Sequence, residues 1–252
     1  MKKIPEVSVI LPNYNSHKFI HDTVRSVLNQ KFNSWELIIV DDDSNYKTKK
    51  ILKKFAQNKK IKIYWLNKNK GAGYCRNLAI KKSKSKYLAF IDSDDIWKKN
   101  KLKTQINFMK KNNYLFTYTN YETFGKKIKK IYNPPKLDYS NFIKNTSIAT
   151  STMMVKREKI RNIKFTNSKI CEDYYFKCKL LKKVKFAYCL KKNLTKYRIR
   201  DKSLQSSNIR NFYWIWKINK DFNNLNFFEN FISLFFISLN SIKKYGGKNI
   251  FD

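Results

Sequence analysis

The sequence predicts an α/β fold with a Rossmann-like, mostly parallel sheet and helices on both of its faces. Strand-like and helix-like segments alternate through residues 7–91, an order that produces parallel strands connected by crossover helices. Asparagine and aspartate residues follow three of the predicted strands. Because ligands of such sheets bind outside the carboxyl ends of the strands, we expect a binding crevice at this edge.

Each element of the first half has its own sequence pattern. Short apolar runs are typical of buried strands, and apolar residues at intervals of three and four are typical of helices. The predicted strands are Val7–Leu11, Glu36–Val40, Ile61–Leu66 and Tyr87–Ile91. The predicted helices are Ser16–Gln30, Lys47–Gln57 and Gly73–Lys82.

The second half of the chain is less regular. Small residues over Thr146–Val155 indicate a loop that leads into a strand, and a helix over Glu172–Leu181 and a strand over Val184–Leu190 follow. From about residue 208 the composition becomes rich in aromatic residues. We therefore divide the chain into a main domain over residues 1–207 and a helical C-terminal tail over residues 208–252.

The net charge of +37 suggests an anionic partner: nucleic acid, an anionic membrane or a phosphorylated substrate. The basic residues are 48 lysines and only 7 arginines, whereas proteins that read base edges rely on the planar guanidinium of arginine. Lysine, asparagine and isoleucine are abundant along the whole chain rather than in one patch. A basic nucleic-acid-binding module is kept as an alternative from another class, but no nucleic acid is expected as a partner.

The four cysteines, Cys75, Cys171, Cys178 and Cys189, lack the spacing of a metal site. The N-terminus carries no secretory signal, so we expect reduced thiols in a cytosolic protein.

The most informative segment is the acidic cluster that follows the fourth predicted strand. Asp92, Asp94 and Asp95 occupy three of four positions, and alternation along the chain lets Asp92 and Asp94 point to the same side. Two neighbouring carboxylates repel each other unless a cation lies between them, and hard oxygen ligands suit Mg²⁺ or Mn²⁺. The alternative is a helix N-cap followed by acidic residues in the first turn.

Two other strand ends favour the binding site over the helix cap. Asn13 and Asn15 follow the first strand, and Asp41, Asp42 and Asp43 follow the second. Polar residues at three strand ends converge on one crevice in a parallel sheet, which capping does not explain.

Six segments together resemble the family 2 inverting glycosyltransferases, which have the GT-A fold. They are similar, in order, to the family's nucleotide loop, its second signature, the loop and helix start after the third strand, the DxD strand, the ED pair and the closing segment. The segments are Val7–Asn15, Glu36–Ser44, Gly71–Asn77, Tyr87–Trp97, Glu172–Asp173 and Tyr197–Arg200. The second signature departs from the family at Asp43, where glycine is usual.

The resemblance implies a site for a nucleoside-diphosphate sugar, with a UDP-sugar as the leading donor. Pro12 and Asn15 would shape the loop under the nucleotide, and Asp42 would accept a hydrogen bond from the base. Asp41 is a further candidate for the base or ribose. Arg76 would lie near the nucleotide and offset the diphosphate charge.

The resemblance also implies a divalent cation, Mn²⁺ or Mg²⁺, bound by Asp94 with Asp92 as the second carboxylate. Asp173 would be the general base that deprotonates the acceptor hydroxyl, and Glu172 is the second candidate. Many relatives have histidine where this chain has Arg200. A guanidinium cannot bind a metal, so either Arg200 replaces a ligand by a charge or the segment is misaligned.

The implied function is metal-dependent, inverting sugar transfer to a saccharide or lipid-linked saccharide acceptor in bacterial surface-glycan synthesis, of lipooligosaccharide or capsule. We expect a cytoplasmic protein that is peripheral at the inner face of the cytoplasmic membrane. A catalytically inactive family member is the second alternative. An NAD-type Rossmann enzyme is disfavoured because no GxGxxG follows the first strand.

The tail has the pattern of an amphipathic helix. Phenylalanine and leucine recur at spacings of one, three and four through residues 227–239, and Lys243 and Lys244 follow. Such a helix can lie in a membrane interface, where anionic lipid attracts the lysines. The alternative is a helix that packs on the main domain or on a second subunit. The apolar stretch is too short and interrupted for a bilayer span, which needs ~20 residues.

Overall fold

A computed structural model of the chain describes residues 4–168, 170–200 and 208–245. Within these residues, ten strands form one sheet. The strands are β1 (Val7–Asn13), β2 (Trp35–Asp41), β3 (Ile61–Trp65), β4 (Tyr87–Phe90), β5 (Ile96–Trp97), β6 (Phe116–Gly125), β7 (Lys130–Ile131), β8 (Lys136–Leu137), β9 (Met154–Lys156) and β10 (Ala187–Ile199). The helices are α1 (Ile20–Leu28), α2 (Tyr46–Phe55), α3 (Ala72–Lys82), α4 (Lys101–Lys111), α5 (Tyr139–Phe142), α6 (Glu172–Val184), α7 (Asn208–Asp221) and α8 (Phe227–Tyr245).

The sheet confirms the α/β prediction. Its main path runs β3-β2-β1-β4-β9-β6-β10-β5, and the four strands from β3 to β4 are parallel, as the alternation of strands and helices predicts. The second half makes the sheet mixed, because β9 pairs antiparallel with both β4 and β6. The chain reaches β9 from β6 through a long connection that contains β7, β8, α5 and the 3₁₀ turn Thr150–Thr152.

Two hydrophobic clusters cover the two faces of the sheet. Neighbouring strand residues alternate between them: Val9 lies in the cluster under α1, α2 and α4, and Ile10 lies in the cluster under α3, α6 and the C-terminal helices. All seven residues of β1 and all seven of β2 are buried. Burial on both faces explains why these strands read as continuous apolar runs.

Some predicted boundaries differ from the structure. Helix α1 begins at Ile20 rather than Ser16, because the carbonyl of Ser16 accepts the N–H groups of Phe19 and Ile20 in a turn. Strand β10 is longer than the predicted Val184–Leu190 and continues to Ile199. Polar residues in its middle hide it in the sequence, and its register against β6 shifts there, after Leu190.

The C-terminal tail is helical, as predicted, and packs on the main domain. Ile218 of α7 and Ile237 of α8 are buried in the cluster that covers the α3 and α6 face. The boundary predicted between residues 207 and 208 adjoins residues 201–207, which lie outside the described residues. In the described part of the chain, no helix is long and apolar enough to cross a membrane.

Candidate active site

Three polar strand ends meet at one edge of the sheet. Strand β1 lies between β2 and β4, and all three run parallel, so Asn13, Asp41 and the residues after Phe90 come together. This juxtaposition is the crevice that the sequence predicts at the carboxyl ends of the strands.

The loop after β1 is held by hydrogen bonds to the end of β2. Asp41 is fully buried: its Oδ1 accepts from Nδ2 of Asn13 at 2.6 Å, and its Oδ2 accepts from the Ser44 N–H at 3.1 Å. Asn15 has a left-handed backbone (φ 48°), and its Oδ1 accepts from the Asn45 N–H. Pro12 is a buried residue of β1. These bonds hold Asp41 against the loop. A contact between Asp41 and a base or ribose stays a prediction.

Asp42 fixes the loop that follows β3. Its Oδ1 accepts from the Lys70 N–H at 2.7 Å, and its Oδ2 accepts from the Gly71 N–H at 2.8 Å. Gly71 has φ 88°, a conformation that side chains disfavour. Each carboxylate oxygen keeps a second lone pair, so Asp42 can hold this loop and still accept a bond from a nucleotide base.

Arg76 of α3 joins the acidic cluster to the first turn of α6. Its Nη2 lies 2.7 Å from Oδ1 of Asp92, and its Nη1 lies 2.5 Å from Oε1 of Glu172. Burial would lower the pKa of Arg76, but the two carboxylates raise it above its ordinary value. Burial also raises the pKa of Glu172, and the charge of Asp173 adds to that shift. Arg76 therefore positions the acidic groups and is itself fully charged.

The close approach of α3 to α6 requires Gly73. A Cβ at this position would collide with the carbonyl oxygen of Thr166 and would lie 3.3 Å from Cγ of Glu172. The missing side chain lets the start of α3 approach the start of α6, which places Arg76 within reach of Glu172.

The rest of the acidic cluster faces the end of β10. Nη2 of Arg200 lies 2.9 Å from Oδ2 of Asp94, so the structure brings this predicted residue to the cluster. Arg198 donates from its Nε to the Asp94 carbonyl and from its backbone N–H to Oδ1 of Asp95. Asp95 is buried, and its Oδ2 has no hydrogen-bond partner among the described residues.

The acidic cluster is short of positive charge. Burial raises the pKa of Asp94, and the charge of Asp92 adds to the shift although Arg200 opposes it. Burial and the charges of Asp94 and Asp92 raise the pKa of Asp95 well above its ordinary value. A cation at this cluster would lower the electrostatic cost of ionising it.

The chemistry of the donor set fits Mg²⁺ or Mn²⁺. One oxygen each of Asp92 and Asp94 has no ion pair within the described residues. In that part of the chain, no group of three or more His, Cys, Asp or Glu side chains could hold a metal by itself. A cation held by two carboxylates would take its other ligands from phosphate oxygens and water, as Mg²⁺ commonly does.

Asp173, in the first turn of α6, is held by two donors that bind the same oxygen. Its Oδ2 lies 2.6 Å from Nζ of Lys177 and 2.7 Å from Oγ1 of Thr150. Burial would raise the pKa of Asp173, but the charges of Lys177 and Arg76 and these two hydrogen bonds hold the pKa well below its ordinary value. Oδ1 has no donor among the described residues and is the oxygen available to a ligand.

Sequence reasoning missed Lys177 and the role of Thr150. Lys177 is buried, and it lies four residues after Asp173 on one helix, a spacing that places the two side chains on the same face. That signal is readable in the sequence. Thr150 is 23 residues from Asp173, and only the fold brings it there.

The fold matches that of solved structures that contain nucleotide sugars. Residues 1–349 of S. aureus TarS, in a structure with UDP-GlcNAc, match with a TM-score of 0.73 and 22% identity over 94% of this chain and 73% of that chain. The mannosyltransferase PcManGT from Pyrobaculum calidifontis, in complex with GDP-Man and Mn²⁺, matches with a TM-score of 0.70 and 14% identity. That match covers 99% of this chain and 73% of PcManGT. The chain has the GT-A fold.

Sequence comparison gives the family. The model of the family described as Glycosyl transferase family 2 matches residues 8–178. The putative teichuronic acid biosynthesis glycosyltransferase TuaG of Bacillus subtilis is 36% identical, over 95% of this chain and 97% of TuaG. The UDP-Glc:alpha-D-GlcNAc-diphosphoundecaprenol beta-1,3-glucosyltransferase WfgD of Escherichia coli is 34% identical, over 86% of each chain. The chain belongs to glycosyl transferase family 2 and is a glycosyltransferase, as the sequence motifs predict.

Proposed function

We propose that this glycosyltransferase moves a sugar, with inversion and with the help of Mn²⁺ or Mg²⁺, from a UDP-sugar to a lipid-linked saccharide of a bacterial surface glycan. The observation that carries the proposal is the pair Asp92 and Asp94, joined through Arg76 to the turn that holds Asp173. Two relatives support this choice of substrates. WfgD is named as a transferase from UDP-Glc to a sugar linked to diphosphoundecaprenol, and TuaG is named for teichuronic acid biosynthesis.

The chain's own residues would bind and orient the donor. The loop shaped by Pro12 and Asn15 and the oxygens of Asp42 would receive the nucleotide. When bound by Asp94 and Asp92, a divalent cation supplies the positive charge that stabilises a departing diphosphate. Arg200 lies at the same cluster and would add a second positive charge there. In this arrangement Arg200 adds positive charge beside the cation, and it is not itself a ligand of the cation.

The acceptor would be deprotonated by Asp173. A hydroxyl must lose its proton as it attacks the anomeric carbon, and a carboxylate within hydrogen-bond reach can take that proton. The free Oδ1 of Asp173 is the atom assigned to this step. Attack from the face opposite the leaving diphosphate needs no covalent glycosyl-enzyme and inverts the anomeric configuration.

The proposed location follows from the two substrates. A nucleotide sugar is a water-soluble donor, whereas a lipid-linked acceptor lies in a bilayer, so the enzyme must work where the two meet. We place it at the inner face of the cytoplasmic membrane as a peripheral protein.

The test measures release of UDP from candidate UDP-sugars in the presence of Mn²⁺, Mg²⁺ or EDTA. Asp94→Asn keeps the shape but removes the charge, so turnover should fall at least a hundredfold, and Mn²⁺ should no longer tighten UDP binding in calorimetry. Asp43→Asn is the matched control, because Asp43 is an exposed strand-end aspartate paired only with Lys49 among the described residues. Undiminished transfer in excess EDTA would refute metal dependence.

The same preparation tests both alternatives. An inactive family member would bind UDP without releasing it from any donor. A nucleic-acid-binding module would bind DNA or RNA with an affinity that falls steeply with salt and is unchanged by Asp94→Asn. Turnover that depends on Asp94, together with weak nucleic-acid binding, would exclude both.

A further inference from the structure

Helix α8 exposes most of its large apolar side chains, unlike an ordinary surface helix. Its inward face consists of the buried Asn230, Ser233 and Ile237 and of Leu234, which packs partly buried against the core. Its outward face consists of eight large apolar residues: Phe227, Phe228, Phe231, Ile232, Phe235, Phe236, Leu239 and Ile242. Phe228 is 75% exposed and Phe231 60%. A helix that faces water normally has the opposite arrangement.

Hydrogen bonds fix α8 in this orientation. Nδ2 of Asn219, on α7, donates to Oδ1 of Asn230 at 3.0 Å and to Oγ of Ser233 at 3.1 Å. Oγ of Ser233 in turn donates to the Ile143 carbonyl at 2.6 Å, and Nδ2 of Asn240 donates to the Lys144 carbonyl at 3.0 Å. Rotation of α8 to bury its phenylalanines would leave the buried side chains of Asn219, Asn230 and Ser233 without these partners, which is unfavourable.

The apolar face has a basic border at its C-terminal end. Nζ of Lys144 lies 5.9 Å from the ring of Phe236, and Nζ of Lys129 donates to the Lys243 carbonyl. Lys243 itself is exposed. The one acidic residue of α8, Glu229, accepts from the Asn226 N–H at the opposite end of the helix. The border is therefore complementary to an anionic surface.

We infer that the outward face of α8 docks in the interface of a bilayer that contains anionic lipid. Phenylalanines would enter the acyl boundary, and the lysines would remain at the level of the headgroups. A second copy that paired in a parallel sense would bring two lysine borders together, whereas an antiparallel pair would place each border beside Glu229 of the other copy. The dimer is therefore the competing outcome of the test. Among the described residues, Trp216 contacts Phe227 and Lys144 lies near Phe236, yet all eight apolar side chains of the face remain exposed.

The docking surface is tied to the proposed active site. Tyr174, the neighbour of Asp173, donates from its hydroxyl to Oδ1 of Asn219 at 2.7 Å, and Asn219 bonds Asn230 of α8. The turn that carries Asp173 is thus connected to the membrane-facing helix through three buried polar side chains. The docking itself does not depend on the proposed function. Only its purpose, access to a lipid-linked acceptor, rests on that function.

The experiment is flotation of the full chain with vesicles of phosphatidylcholine, with or without 30% phosphatidylglycerol. The full chain should float with the anionic vesicles at low salt. Phe231→Ser/Phe235→Ser should reduce the bound fraction at least tenfold, because both side chains are exposed and their loss removes only the apolar contact. Tyr46→Ser is the control: Tyr46 is 75% exposed on α2, on the other face of the sheet.

Tryptophan fluorescence and analytical ultracentrifugation test the same docking surface independently. Brominated lipids should quench tryptophan fluorescence of the unaltered protein, since Trp216 packs against Phe227 at 5.4 Å between ring centroids. Equal binding of the double variant and the unaltered protein would show attraction by charge alone and overturn the inference. So would a dimer, seen by analytical ultracentrifugation, that the same substitutions dissociate. UDP release by the double variant should be unchanged, so failure of docking and failure of the proposed chemistry are separable.

Discussion

At the scale of single residues, the acidic groups of the site are balanced by cations in different ways. Arg76 is shared between Asp92 and Glu172, whereas Lys177 forms an ion pair with Asp173 and also donates to Oγ1 of Thr150. Asp94 has the more exposed Arg200. The two carboxylates of the ED pair consequently differ, because the pKa is raised for Glu172 and lowered for Asp173. Asp173 stays ionised over the whole physiological range and can accept a proton.

We predict that Asp173→Asn lowers turnover by roughly 10²–10⁴. The amide keeps the shape and can still contact Thr150, but it cannot accept the proton of the acceptor hydroxyl. Binding of UDP with Mn²⁺, measured by calorimetry, should persist because the donor residues are unaltered. Transfer at nearly the original rate would rule out Asp173 as the base and leave Glu172 as the candidate.

A second prediction concerns Lys177 as a positioning residue. Lys177→Met removes the charge that holds Oδ2 of Asp173, so the pKa of Asp173 should rise and the acid limb of the pH–rate profile should move to higher pH. Turnover at pH 8 should fall about tenfold because the carboxylate is less well oriented.

Two variants separate positioning from stability. Lys177→Arg keeps the charge and should restore the acid limb toward its original position. Lys179→Met is the matched control, since Lys179 is on the same helix and has no ion pair in the described structure. An acid limb that stays in place in Lys177→Met would exclude the positioning role.

At the scale of elements, α4 contains a buried lysine without a hydrogen-bond partner among the described residues. Lys101 is completely buried, its Nζ has no hydrogen-bond partner among the described residues, and this atom lies 3.9 Å from the centroid of the Trp97 ring. Burial lowers the pKa of Lys101 well below its ordinary value of 10.5. The folded state therefore binds fewer protons than the unfolded state between the lowered pKa and 10.5.

We predict that Lys101→Met stabilises the protein at pH 7 by about 1–3 kcal/mol, since an unpaired buried polar group is removed and the volume is nearly kept. The midpoint of thermal unfolding should rise by several degrees. The advantage should shrink as the pH approaches 10.5, because stability of the unaltered protein rises with pH in that window.

Scanning calorimetry at several pH values checks this prediction. Lys103→Met is the control, because Lys103 is an exposed residue of the same helix. A loss of stability in Lys101→Met would show that the ammonium group is compensated by its contact with the Trp97 ring.

At the scale of the whole molecule, the net charge is +37, whereas several of the 18 acidic residues lie together at one crevice. A negatively charged donor would be repelled by the acidic cluster alone, and the proposed metal ion together with Arg200 would offset this repulsion. The basic charge is spread over the chain, whereas the apolar face of α8 is one defined surface. On the inference above, this surface is where the protein binds a bilayer.

The sequence by itself determined the fold class, the first four strands and the strand ends at which the acidic residues lie. These features are local: a buried strand is read from a few consecutive residues, and parallel strands bring their ends together. The DxD and ED segments and the family could be recognised because motif residues are close in the chain. The spacing of Asp173 and Lys177 was equally readable.

Only the tertiary structure decided which residues meet across the chain. Arg76 and Glu172 are 96 residues apart, and Gly73 must leave room before they can touch. Arg200 reaches Asp94 through the pairing of β10 with β5. Helix α8 shows the physical reason most directly. Periodicity predicts which side chains share a face, but the hydrogen bonds of Asn219, Asn230 and Ser233 decide which face is buried.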